Sequence, residues 1–241
     1  LGSGVLSLER DLREICNCGG SGARRPAFSP EQLRPVVSAA TALAGTDCGA
    51  DRRNEHCDAA LHRLLDRLRE LLAQRQAFSQ ALATASTCAP CQAHPWRYQT
   101  MVDSPRLRAG LLTLFRFAPI PLHDHPGACG AQRVLSGRVQ IERYDHSAGA
   151  GQSPQVVWLE RTAEEDLTSG GSACFHRGSG NLHRLESLTA RSVLLSVLIR
   201  PHQDGERAWY FPVHGFLPSK RGLYTRVKNH PRRTTVGATH R

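Results

Sequence analysis

Apolar residues along this chain change their spacing part-way. Residues 1–86 read as helical, and from about residue 96 to residue 216 the apolar residues come in short runs typical of strands. The segment SPEQLRPVVSAATALAG opens with Ser29 as N-cap, Pro30 at the first helical position and Gln32 completing a capping box, and Gly45 is its stop. Pro35 falls in the first turns, where a missing N–H matters least. In the next helix Leu61, Leu64, Leu65, Leu68, Leu71 and Leu72 form one stripe, with Asp66, Arg67, Arg69 and Glu70 off it. Such a stripe must pack on another helix, on the strand-rich half or on a partner chain.

CNCGGSGARRPAFS and GTDCGADRR read as loops, and TCAPCQAHPW, with two prolines, marks a boundary. Beyond it LRAGLLTLFRFA, GAQRVLSGRVQIERYD, QVVWLER, ACFH and RSVLLSVLIR read as strands separated by Gly, Pro, Ser or Asp clusters, a pattern that predicts a sandwich or barrel. The spans are a helical region at 1–86, a β domain at 87–216 and a basic tail at 217–241. The tail has no acidic residue and reads as a solvated, disordered terminus.

Hydrophobic residues make up 40% of the 241, enough for a core, and no apolar run is long enough for a membrane helix. Net charge is +10, mostly from arginine, with no nucleic-acid motif beside it, so neither a membrane nor a nucleic acid is an expected partner. A monomer is expected, in the cytoplasm, with the nucleus as the alternative. Leu1 comes first and Met101 is the only methionine, which leaves the native start and any targeting signal out of view. The eight cysteines, in a chain this long, read as reduced thiols. Cys88 and Cys91, with His94 close by, have the spacing of half a zinc site, for which Cys16 and Cys18 or Cys48 and Cys57 would be the other half, although no recognised spacing links them.

The chemistry concentrates in PLHDHPG. Residues i and i+2 of a strand share a face, so His123 and His125 converge while Asp124 points away, and Pro126 and Gly127 then bend the chain. Two imidazoles placed this way suit one metal ion. For a third ligand His183 is the best candidate, because Gly178, Gly180 and Asn181 let the backbone turn just ahead of it; His146, His176, His202 and His214 compete.

The stretch resembles the cupin family of double-stranded β-helix (jelly-roll) barrels. Its His-x-His is followed by the family's glycine at Gly137, without the usual glutamate. Three histidines with no carboxylate are the pattern of cupin thiol dioxygenases. IPLHDHPG, LSGRVQIERYD, GNLHRLES and LIRPHQDGERAWYFPV are similar to segments of the branch that contains the plant cysteine oxidases and 2-aminoethanethiol (cysteamine) dioxygenase. The resemblance covers roughly residues 96–216. It implies a mainly β fold, a cupin barrel with a helical N-terminal extension. It also implies Fe(II) held by His123, His125 and His183, with three coordination positions left on one face. Dioxygen and a thiol would be the substrates, and a sulfinic acid the product. Tyr210 is then a candidate to hydrogen-bond dioxygen or substrate, and Asp204 to hold a substrate ammonium or orient a water. Arg133 falls on a basic position of the family. The departures are Ala128 in place of a common methionine, Cys129 and Gly130 where bulkier apolar residues are usual, and Ala208 where some animal members carry a cysteine that can crosslink to the tyrosine.

The substrate expected is the N-terminal cysteine of a peptide or protein, ahead of cysteamine. Small residues at Ala128 and Gly130 would make room for a chain. Free cysteine comes last, because no arginine can be placed beside the metal to pair with its carboxylate. The helical half is not expected to be needed for the chemistry. The alternatives are a non-enzymatic or non-iron metal-binding cupin, and a nucleic-acid or partner-binding protein that uses the basic helical half and tail.

Overall fold

The computed structural model describes residues 30–45, 52–90, 96–104, 106–147, 155–177, 181–199, 207–215 and 220–228. Three helices come first: α1 (Pro30–Gly45), α2 (Arg52–Ala73) and α3 (Gln76–Thr87). Eleven strands follow: β1 (Trp96–Asp103), β2 (Leu107–Phe115), β3 (Ile120–His123), β4 (Cys129–Ser136), β5 (Arg138–His146), β6 (Val156–Thr168), β7 (Ser172–Phe175), β8 (Leu182–Ser187), β9 (Arg191–Ile199), β10 (Trp209–Pro212) and β11 (Arg221–Val227). This is the expected mainly β barrel with a helical N-terminal extension.

The strands form two layers. One is a five-stranded sheet in the order β1-β2-β9-β4-β7; in the other, β10-β11-β6-β5-β8-β3 close on themselves. Strands β2 and β9 read as nearly unbroken apolar runs because the five-stranded sheet is covered on both sides. Leu107, Ala109, Leu111, Val193, Leu195, Val197 and Ile199 share one core with the helices, while Leu112, Leu114 and Leu194 point the other way, into a core shared with Ile120, Ile141, Leu185 and Trp209 of the closed layer. The leucine stripe of α2 therefore packs on the β half. Leu61, Leu65, Leu68 and Leu72 are buried in that first core, each stabilising the packing by about 2 kcal/mol. Arg133 of β4 pairs with Asp66 of α2, and His176 just past β7 bonds Asp58 of α2 through Nε2 at 2.7 Å, so polar contacts edge the same interface.

The closed layer has a core of its own, built from Leu122, Tyr144, Leu159, Leu182, Ala208, Tyr210 and Tyr224. Buried Glu142 belongs there too: it accepts from the Tyr144 hydroxyl at 2.6 Å and from Arg184 at 2.8 Å. Neighbouring residues on one strand thus serve different cores, as with Leu185 and Leu182 on β8. On β3 a register irregularity between Ile120 and His123 lets those two face the same way, toward the five-stranded sheet.

Two expectations change here. The terminus from 217 is not wholly unstructured, because Arg221–Val227 forms β11 between β10 and β6 and completes the closed layer. Tyr224 anchors it, fully buried. The cysteines are not all reduced, since Cys57 is disulfide-bonded; Cys88, Cys129 and Cys174 are free thiols. No described helix is long and apolar enough to cross a membrane.

Candidate metal centre

The site forms where β3 runs into the Pro126–Gly127 turn. His123 is paired across the strands with His183 of β8 on one side and with Trp209 of β10 on the other. The strand ends at His123, yet His125 is still held, because Asn181 continues the ladder with its side chain. Its Oδ1 accepts from the His125 N–H and its Nδ2 donates to the His125 carbonyl, both at 2.8 Å. The Ala128 N–H then closes a turn onto the His125 carbonyl at 3.0 Å, with Gly127 at φ 67°, a conformation costly for any residue with a side chain.

Three imidazoles consequently meet. One ring nitrogen from each of His123, His125 and His183 lies within 4.8 Å of the others, and all three residues are buried; among the described residues no other His, Cys, Asp and Glu group is so disposed. Nδ1 of His123 donates to the Pro121 carbonyl at 2.8 Å, which leaves its Nε2 as a lone-pair donor. Both ring nitrogens of His183 are buried without a hydrogen-bond partner. Burial first, then the Arg207 charge and, less, that of Arg143 bring its pKa down to about 3 against an opposing pull from the Asn181 backbone, so the ring is neutral. Buried, neutral and unpartnered imidazole nitrogens facing two others are costly unless a cation takes them. The cluster fits a metal site.

Phe175 stacks on His125 with ring centroids 5.2 Å apart and lies 5.0 Å from His183. Gly130 exists for this ring: a Cβ there would sit 2.5 Å from Phe175 Cζ and 2.3 Å from the Val197 carbonyl oxygen. The extra room expected from small residues is therefore absent at Gly130, and the interior beside His183 is a void of only about 10 Å³.

The other sequence-derived candidates disperse. Tyr210 follows Trp209 and so faces away from the histidines. Its hydroxyl donates to Asp124 Oδ2 at 2.9 Å, and the Ala208 N–H donates to Asp124 Oδ1 at 2.7 Å. Burial, then Asp124, pushes the Tyr210 pKa up, so it stays a donor. Asp124 thereby ties β10 to the His-x-His segment from behind. Asp204, His202, Cys91, His94, Gly178 and Gly180 lie outside the described residues. His176 is engaged with Asp58 at the helices, His146 is exposed at the end of β5, and His214 is exposed past β10. A separate cavity of about 380 Å³, lined by Asp124, Pro126, Gly127, Asp145, His146, Arg177, Asn181 and Leu182, lies behind the His-x-His segment.

Sequence reasoning missed two residues. Asn181 was read as a turn former, although a buried asparagine beside a candidate ligand signals a backbone clamp. Arg207, two residues before Trp209, lies beside the histidines with its Nη2 2.9 Å from His125 Nδ1; a guanidinium can only donate there, so a metal ion held by His125 would take that lone pair in its place. Burial lowers the Arg207 pKa to about 10, which leaves it cationic at neutral pH. The reason for placing free cysteine last, that no cation stands beside the metal, therefore does not hold.

Residues 65–231, well over half of the chain, match the PCO_ADO family. The chain belongs to the PCO_ADO family. Among curated proteins it is 28% identical to human 2-aminoethanethiol dioxygenase over 62% of this chain and 65% of that one. It is 27% identical to Arabidopsis thaliana plant cysteine oxidase 1 over 48% of this chain and 41% of that one. It thus spans less than two thirds of the length of either relative. Of solved structures, the Schizosaccharomyces pombe Cnp3 cupin domain aligns at 11% identity over 47% of this chain and 69% of that one, with a TM-score of 0.34, too loose a likeness to add to the argument. The PCO_ADO match spans all three histidines, the Asn181 clamp and β11.

Proposed function

We propose that this chain is an iron-dependent thiol dioxygenase. Its substrates would be compounds with an amine two carbons from the thiol: the N-terminal cysteine of a peptide or protein, or cysteamine. His123, His125 and His183 would hold Fe(II). The observation that carries this is the buried cluster of three imidazoles with no carboxylate among them, in a chain of the PCO_ADO family. Bound iron would supply the redox chemistry that joins both oxygen atoms of O2 to sulfur, giving a sulfinic acid.

The chain's own residues do the rest. Asn181 and the Pro126–Gly127 turn fix the His125 backbone, and the Pro121 carbonyl sets the His123 tautomer. Phe175 and Trp209 keep water from the ring faces. Tyr210 acts as a positioning residue through Asp124. Asp204 remains our candidate for holding the substrate ammonium. The catalytic unit runs from about residue 87 through β11, with the helices as cover for its outer sheet. A non-enzymatic metal-binding cupin is the competing reading. Metal analysis of anaerobically purified protein, followed by oxygen uptake with a panel of thiols, separates the two. Iron with thiol-dependent uptake supports the dioxygenase; stoichiometric zinc or nickel, and no uptake after reloading with iron, refutes it.

A further inference from the structure

We propose that Arg207 recognises a carboxylate on the substrate, so that this enzyme favours thiols carrying an acidic group close to the sulfur. The inference rests on the dioxygenase reading for what is oxidised, but not for what is bound. Arg207 lies just ahead of β10 beside the three histidines, its guanidinium over the Trp209 ring at 5.9 Å and its Nη2 2.9 Å from His125 Nδ1. Arg has five N–H donors in a fixed fork, and this contact uses one. Among the described residues no carboxylate forms an ion pair with Arg207. Asp124, the acid whose field reaches it, is already bonded to the Ala208 N–H and the Tyr210 hydroxyl. Among the described residues the other charge close enough to act on it is a second cation, Arg108, which lies over the Tyr98 ring at 5.6 Å.

Among the described residues Arg207 thus has a cationic neighbour and no carboxylate partner of its own, and a bound anion would meet it with donors to spare. A metal ion bound nearby would add still more positive charge. A thiolate at the metal leaves that excess only partly neutralised, and a carboxylate within the same molecule completes it in the bidentate geometry that a guanidinium prefers. Two sources fit that chemistry: the α-carboxylate of free cysteine, and an acidic side chain next to an N-terminal cysteine.

The test uses the full chain loaded with cobalt(II), whose visible absorption reports thiolate binding without turnover. It is titrated with 3-mercaptopropionate, which has a carboxylate, and with ethanethiol, which has none. The native protein should bind 3-mercaptopropionate roughly ten- to hundredfold more tightly. The advantage should vanish in Arg207→Met and return in part in Arg207→Lys. Equal binding in the native protein, or an advantage that survives Arg207→Met, overturns the proposal. If Arg207 only positioned His125, every thiol would weaken alike, and that result overturns it too. Should Arg207→Met fail to hold cobalt, the native comparison and Arg207→Lys decide. With the iron form, kcat/KM for cysteine, for Cys-Asp and Cys-Asn dipeptide amides and for cysteamine then identifies the source of the carboxylate. Cobalt titrations as predicted, with no oxygen uptake for any thiol, would refute the dioxygenase reading and leave the Arg207 site standing.

Discussion

Replacing Asn181 with alanine removes the two hydrogen bonds that extend the β3·β8 ladder to His125. Residue 181 is buried, so the His125 N–H loses its side-chain acceptor and the carbonyl keeps only the Ala128 N–H. An unsatisfied buried backbone group costs about 1–3 kcal/mol, and weakening a shared acceptor costs less, so a total loss of roughly 2–4 kcal/mol is expected. The metal should suffer as well, because groups that orient ligands typically contribute 10- to 100-fold in affinity. Asn181→Asp refines the test. It keeps the acceptor for the N–H but sets a carboxylate oxygen against the His125 carbonyl, so at neutral pH it should be no better than alanine. As the carboxyl is protonated at lower pH it regains a donor, and its deficit relative to the native protein should shrink. Urea unfolding of the metal-free protein, with chelator competition for the metal-loaded form, measures both effects. A stability change under about 0.5 kcal/mol together with unchanged metal affinity would refute the clamp.

His183→Ala should abolish metal binding while the metal-free fold persists, since it deletes two buried nitrogens that have no partner; unchanged iron content would refute the three-histidine site. In the metal-free protein the pKa of His183 falls from 6.5 unfolded to about 3 folded, so its contribution to stability is intact above pH 6.5 and is lost as pH falls toward 3. That amounts to about 1.4 kcal/mol per pH unit within this window, and His183→Ala should flatten the dependence. Tyr210→Phe frees one oxygen of buried Asp124 and should cost about 1–3 kcal/mol of stability, with kcat falling no further than iron content does; a much larger fall in kcat would mean that the hydroxyl touches the substrate. Deleting residues 1–86 bares one face of β2 and β9, so the fragment should aggregate, and a soluble, iron-loaded, active fragment would show that the helices are dispensable.

What the sequence revealed, it revealed through local rules. The helix start at Pro30, the leucine period of α2 and the His-x-His spacing each need only near neighbours along the chain. The packing of α2 on β2 and β9 was one of three open choices, settled when the unbroken apolar runs of those strands proved to be buried on both faces. Arg207 was not legible because its place depends on Trp209 pairing with His123, a contact between distant segments. The same pairing turns Tyr210 toward Asp124 and away from the three histidines. Gly130 looked like open space, and only the β4·β7 register, which sets it opposite Phe175, shows that a ring fills it. Strand β11 was passed over because its arginines and the basic residues around it masked the Leu223, Tyr224, Thr225 and Val227 preference for a strand.

The most direct measurement supplies the iron-loaded protein with oxygen-18 gas and a thiol, either cysteamine or a peptide with an N-terminal cysteine, and weighs the product by mass spectrometry. A sulfinic acid carrying both labelled atoms, formed by the native protein and absent with His123→Ala, is the predicted result. A protein that holds iron at the three histidines yet gives a disulfide, a product with one labelled atom or no product at all would contradict the account.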